Sequence, residues 1–154
     1  MYFISVAGLM FVFPLLSIAI DAIQHSVPVG MALIGKWYVF WAVGLRLLLA
    51  GLKQILQPRY TAEKILGIKG DEALLLVREL GFGNLSIGIV GSLSLFFPGW
   101  VLPAALVGGV FYLLAGINHA LQGHRNKLEN VAMLTDLFAG VLLLGFCGWS
   151  AWRG

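Results

Sequence analysis

The sequence is poor in charge. Only 11% of its 154 residues are Asp, Glu, Lys or Arg, less than half of the roughly 25% found in soluble domains. Such a chain lacks the polar surface to cover itself in water. Cysteine is nearly absent too. Cys147 alone excludes an intrachain disulfide and a thiolate cluster, and its apolar surroundings mark it as a small buried side chain. There is no low-complexity segment and no internal repeat. Serine-nucleophile motifs, phosphate-binding loops and dinucleotide fingerprints are missing. Met1 to Ile20 has no basic leader and no clean cleavage site, so it reads as a retained helix rather than a signal peptide.

What is present fits lipid. Hydrophobic residues make up 60% of the chain, and mean hydropathy is +0.93. Five Trp, ten Phe and four Tyr suit membrane interfaces, and twenty Gly suit close helix packing. The net charge of +3 does not imply nucleic acid, because the ten Lys and Arg are scattered between apolar spans.

The expected fold is all-α: one integral membrane domain over 1–154, a bundle of five transmembrane helices at about 2–20, 37–56, 79–97, 101–122 and 131–152. Each is long enough to cross the roughly 30 Å of hydrocarbon. Pro14 is expected to bend the first. Asp21 and His25 fall in a turn-rich exit ending at Gly30. The second span begins at Met31 or Trp37, with Lys36, Trp37, Tyr38 and Trp41 as interfacial anchors, and stops before Pro58. Residues 58–78 alternate charge with Ile and Leu and read as a short amphipathic surface segment, whose first helical turn ends at Gly67 and whose Asp71 N-caps the next helix. Pro98-Gly99 ends the third span, and Trp149, Trp152 and Arg153 anchor the last. Seven Lys and Arg (Lys53, Arg59, Lys64, Lys69, Arg78, Arg125 and Lys127) fall on the side of the N-terminus, against Lys36 and Arg153 on the other. The positive-inside rule then puts the N-terminus in the cytoplasm and the C-terminus outside.

Polar residues inside these spans need a reason. Glu79, Asn84, Asn118, His119 and Asp136 are expected in the inner half and Arg46 deeper, near mid-membrane, the six contributed by four helices. Asn84, Gly88 and Gly91 share a face, which makes a small-residue seam for a neighbouring helix. Tyr112, Ala115, Gly116 and His119 share another, and Asp136 lies on the face of Met133, Gly140 and Glu129. Two readings follow. The cluster is mutually satisfied, Arg46 pairing with Asp136 or Glu79. Or it lines a cavity open to the cytoplasm that binds a polar ligand, ion or proton, with Arg46 holding an anionic group, Glu79, His119 and Asp136 exchanging protons or binding a cation, and Asn84 and Asn118 orienting the ligand. Glu79, His119 and Asp136 could also make a mixed metal site, but no spacing motif supports one. His119 and His124 diverge by about 140° on a helix. No cofactor is specified.

The order Arg46, a surface segment, Arg78-Glu79-Leu80-Gly81-Phe82-Gly83-Asn84, Gly116-Ile117-Asn118-His119, Asn130 and Thr135-Asp136 resembles small bacterial membrane proteins of the DoxX-like group over roughly 37–150. That resemblance implies a four-helix core with an added N-terminal helix, and a bacterial inner-membrane location, but no settled activity. Beside ligand or ion handling stand two alternatives: an accessory subunit packing into a larger membrane complex or a homo-oligomer through glycine faces such as those of Gly88 and Gly109, and a membrane oxidoreductase component. Enzymatic activity is not indicated, and no partner beyond the lipid bilayer follows directly.

Overall fold

A computed structural model describes residues 2–153, apart from the side chain of Tyr2. It contains five helices long and apolar enough to cross a membrane: α1 Phe3–His25, α2 Met31–Leu56, α3 Glu72–Leu93, α4 Pro98–Leu121 and α5 Lys127–Arg153. Among the described residues there is no strand. Large apolar side chains such as Leu134, Val141 and Leu114 stand exposed on the outer faces, which is unfavourable in water and favourable in lipid.

Two antiparallel hairpins, α2–α3 and α4–α5, form the core, and α1 lies against α2 and α5. Glycine sets both hairpin seams. A Cβ on Gly91 would lie 2.6 Å from the backbone nitrogen of Gly44, and one on Gly88 would overlap the backbone of Leu48. In the second hairpin, a Cβ on Gly116 would meet Leu137 at 2.7 Å, and one on Gly140 would meet the backbone of Leu113 at the same distance. The seam read from Asn84, Gly88 and Gly91 is therefore real, and α2 is the helix that fills it. Gly88 and Gly109, expected to face a partner protein, are both used inside the chain.

Two expected boundaries change, and the choice between Met31 and Trp37 is decided. First, Asp21 and His25 belong to α1, which ends at His25 and is capped by Ser26, a residue in the left-handed region (φ 52°). Val6, Met10, Pro14, Ile18 and Asp21 form one buried stripe. The irregularity in α1 is a π-helical stretch at Gly8–Val12 just before Pro14. The choice falls to Met31, where α2 starts, and α2 carries its own π stretch, Val39–Arg46. Second, α3 starts at Glu72 rather than Glu79, about 10 Å earlier along the axis. Acidic residues at a helix start are stabilised by the unpaired N–H groups there, so Arg78-Glu79 lies within the helix and does not begin it. The same shift ends α3 at Leu93 instead of Phe97.

The surface segment is tied down. A π-helical turn at Tyr60–Ile65 buries Thr61 and Ala62, and two residues beyond it the chain turns at Gly67, whose φ of 68° suits glycine. Asp71 occupies the N-cap position of α3, but its side chain makes no cap. It accepts instead from Arg59 Nη2 at 2.7 Å, while Glu63 accepts from Arg59 Nη1 at 3.1 Å. These two carboxylates hold the Arg59 guanidinium above its ordinary pKa, Glu63 foremost.

A buried polar ladder between the helices

Arg46 closes the π stretch of α2, about 15 Å before that helix ends at Leu56. A π turn carries one more residue than the α-helical count, which rotates the side chains after it. Arg46 points across the bundle. Its Nη2 donates to Asp136 Oδ1 at 2.7 Å and to Thr135 Oγ1 at 3.1 Å on α5. Nη1 lies 3.4 Å from the sulfur of Met10, inside the π stretch of α1. The guanidinium carbon sits 4.9 Å from the centroid of the Tyr112 ring on α4, and the Tyr112 hydroxyl donates to the carbonyl of Ala42 within the α2 π stretch. Four helices thus converge on one cation. Only 11% of the Arg46 side chain and 10% of the Asp136 side chain remain exposed.

Nearer the 122–126 connection, the same α4–α5 seam carries a second pair. His119 Nδ1 lies 3.3 Å from Glu129 Oε1, and both residues are buried. Tyr112 and His119 share one face of α4, and Glu129 and Asp136 share one face of α5. Glu129 is about 10 Å from Asp136 along the helix. The two pairs are therefore rungs of one ladder running inward from the loops.

The connection itself is built. Arg125 donates to the carbonyls of His119, Ala120 and Gln122 at the end of α4 and, through Nε, to Asn130 Oδ1 at 3.0 Å. The Asn126 carbonyl oxygen accepts the backbone N–H groups of Leu128 and Glu129 at 2.9 and 3.0 Å, an N-cap for α5. Its amide donates to the carbonyls of Lys64 and Ile65, which fastens the surface segment. Between connection and segment lies an open polar cleft of about 600 Å³, with Arg125, Asn126, Glu129 and Asn130 in its walls.

Of the six residues singled out in sequence, Arg46 and Asp136 meet directly, and His119 joins their ladder through Glu129. Asn84 is buried elsewhere. Its amide donates to Gln54 Oε1 at 2.8 Å across the α2–α3 seam, and its own carbonyl oxygen has no partner. Gln54 is about 12 Å along α2 from Arg46, so this pair does not join the ladder. Glu79 and Asn118 are exposed on outer faces. Glu79 is therefore not the partner of Arg46 and does not converge with His119 and Asp136. Among the described residues no three His, Cys, Asp or Glu side chains come together in a metal-binding arrangement. Nor does the polar cleft reach the deep pair: Glu129 is its link to the ladder, and neither Arg46 nor Asp136 lines it.

Sequence reasoning missed the roles of Glu129, Thr135, Tyr112 and Gln54. Glu129 and Tyr112 were legible as faces, since each lies at helical spacing from a flagged residue. A further cluster at the opposite end was also missed. Asp21 accepts from Lys36 Nζ at 2.6 Å and Trp37 Nε1 at 2.8 Å, with His25 Nδ1 2.8 Å away. It clamps α1 to α2, together with Trp41 Nε1 donating to Ser17 Oγ at 2.9 Å.

The fold and this ladder define a class: a small polytopic helical membrane protein with a buried ion pair between its helices. The chain belongs to DUF6790, a family of unknown function, whose match covers residues 1–153. That match lends no specific support to a relation with the DoxX-like group. Neither the curated proteins nor the solved structures contain a match.

Proposed function

We propose that this protein binds or moves a small polar molecule, ion or proton, and that the Arg46–Asp136 rung is its working centre. One observation carries the reading. A hydrogen-bonded ion pair is held about 15 Å from the end of its helix in a membrane-spanning bundle, where charge is costly and usually functional. Cross-helix hydrogen bonds in membranes contribute only about 0.6 to 2 kcal/mol each, so stability alone is a weak reason to keep an arginine there. The two π stretches that meet at Arg46 support the same view, since such stretches often mark functional sites.

The seven-to-two distribution of Lys and Arg favours the loop side of the ladder as the cytoplasmic one, with the C-terminus outside. The resemblance of α2–α5 to DoxX-like proteins favours a bacterial inner membrane. The accessory-subunit alternative rested on glycine faces that are spent within the chain, and no observation favours a redox role.

The test is thermal unfolding of the purified full chain in detergent, titrated with sodium, potassium, ammonium, chloride and pH. A ligand that binds the folded protein raises the melting temperature by mass action. At least one titration should shift the wild type, and Asp136→Asn should remove the shift while remaining folded. A wild type indifferent to all of them, or an Asp136→Asn protein that keeps the response, contradicts the reading.

A further inference from the structure

We propose that the ligand of the ladder is the proton, taken up from the loop-side cleft by Glu129 and passed through His119 toward Asp136. The inference rests on the ladder being the functional site, and it adds the ligand, the entrance and the direction. Glu129 is the residue that belongs to both places. It is only 3% exposed, yet it stands in the cleft wall and its carboxylate touches His119. A molecule would need a passage from the cleft to Arg46–Asp136, and that pair does not line the cleft. A proton can pass along titratable groups set in series on the α4–α5 seam. Glu129 and His119 are in contact at 3.3 Å. Asp136 is the next carboxylate on the same face of α5, beyond direct hydrogen-bonding distance of the ring, so that the last transfer runs through an intervening water.

The step balances without a further reagent. A hydronium in the cleft protonates the Glu129 carboxylate and leaves water. Glu129 gives that proton to the facing ring nitrogen of His119, and the ring releases the proton from its other nitrogen toward Asp136, the next acceptor on the same face of α5. Rotation of the imidazole resets the tautomer. One positive charge has moved inward, and Glu129 and His119 are back in their starting states. Protonated Asp136 releases Arg46, whose charge then has Thr135 and the Tyr112 ring for company.

The charged groups facing His119 are few. Glu129 and Asp136 face it from α5, Arg125 donates to its carbonyl from the connection, and Arg46 reaches the ladder from α2 through Asp136. His124 lies at the cleft. On α3, Arg78 and Glu79 are exposed, and on the surface segment Glu63 is held by Arg59. Beyond Asp136 the bundle is dry: Val39, Ala42, Val43, Ala105 and Leu143 are fully buried. The ladder is open to one side.

The experiment follows the carboxylic-acid stretch of Asp136 by infrared spectroscopy, identified by its absence in Asp136→Asn. The full chain is reconstituted with uniform orientation in vesicles, and the pH is jumped between about 9 and about 4, across the ordinary histidine and carboxylate range. A jump on the loop side alone should protonate Asp136, and a jump on the far side alone should not. Glu129→Gln and His119→Gln should slow the response at least about tenfold with little change in its final extent, and added formate should restore part of the rate in Glu129→Gln. Equal responses from both sides, or an unchanged rate in folded Glu129→Gln, overturn the relay. The sidedness arm uses wild-type protein only and stands even where a variant fails to fold. If Asp136 never protonates while the ion-dependent melting shift persists, the proton is the wrong ligand and the functional site survives. If both are absent, the site itself is wrong.

Discussion

Breaking the Arg46–Asp136 pair from one side should cost far more than removing it altogether. At an effective dielectric of about 20, charge centres about 4 Å apart attract by about 4 kcal/mol, and desolvation of both groups offsets most of that gain. With Nη2 and Oδ1 at 2.7 Å and both side chains about nine-tenths buried, Asp136→Ala removes the carboxylate that balances a buried guanidinium, while the hydrogen bond to Thr135 Oγ1 stays in place. Loss of one partner of such a pair costs about 3 to 5 kcal/mol. For a chain of this length that corresponds to a fall in melting temperature on the order of 10 °C. The double variant Arg46→Met/Asp136→Leu fills similar volume without charge and should melt near the wild type or above it. Circular dichroism melts of the three proteins in one detergent measure both effects. An Asp136→Ala protein within about 2 °C of the wild type would show that the carboxylate is not the buried counter-charge described here. A double variant as unstable as the single one would show that the pair itself holds the bundle together.

The glycine seams give a second prediction: Gly88→Ile forces α2 and α3 apart and should destabilise by about 1 to 3 kcal/mol, whereas Gly83→Ala, open on its outer side, should change little, both read from thermal melts. Across the same seam, a double-mutant cycle on Asn84→Ala and Gln54→Ala should give a coupling of about 0.6 to 2 kcal/mol; zero coupling would refute the 2.8 Å contact. Asn126→Ala removes both the cap of α5 and the tie to Lys64 and Ile65, costing about 1 kcal/mol. Hydrogen exchange should then rise in the Tyr60–Ile65 turn and at Leu128 and Glu129 together, and a rise at only one of them would separate the two roles.

Five spans, the bundle, the glycine seam of Asn84 and the inward faces of His119 and Asp136 were all legible, because lipid imposes a single rule on long apolar runs and helical spacing does the rest. Boundaries failed where charge was taken as a stop. Asp21 continues an inward stripe begun at Val6 and finds Lys36 and Trp37, fifteen and sixteen residues away in sequence, so no local signal marks its partner. Glu79 failed for the opposite reason. With α3 starting at Glu72, Glu79 lies two turns into the helix on its exposed outer face, turned away from Arg46 and Asp136. Asn118 sits next to His119, but adjacent helix positions diverge by about 100°, and one of the two had to point outward. The π stretches that aim Arg46 leave no pattern in the residue sequence. Rotation was therefore readable where small or polar residues repeat at helical spacing, and was not readable at Arg46, whose direction the π stretch sets, or at isolated residues such as Asn118 and Glu79.

The most direct test combines the charge-free double variant with a ligand response. Arg46→Met/Asp136→Leu removes the centre while keeping a folded bundle, so its melting temperature should lose the ion-dependent shift of the wild type. It should also lose the part of the pH-dependent shift that Asp136→Asn loses, while pairs elsewhere, such as Arg59 with Glu63 and Asp71, keep their own contribution. A double variant that folds and still responds as the wild type does would contradict the assignment of function to the ladder.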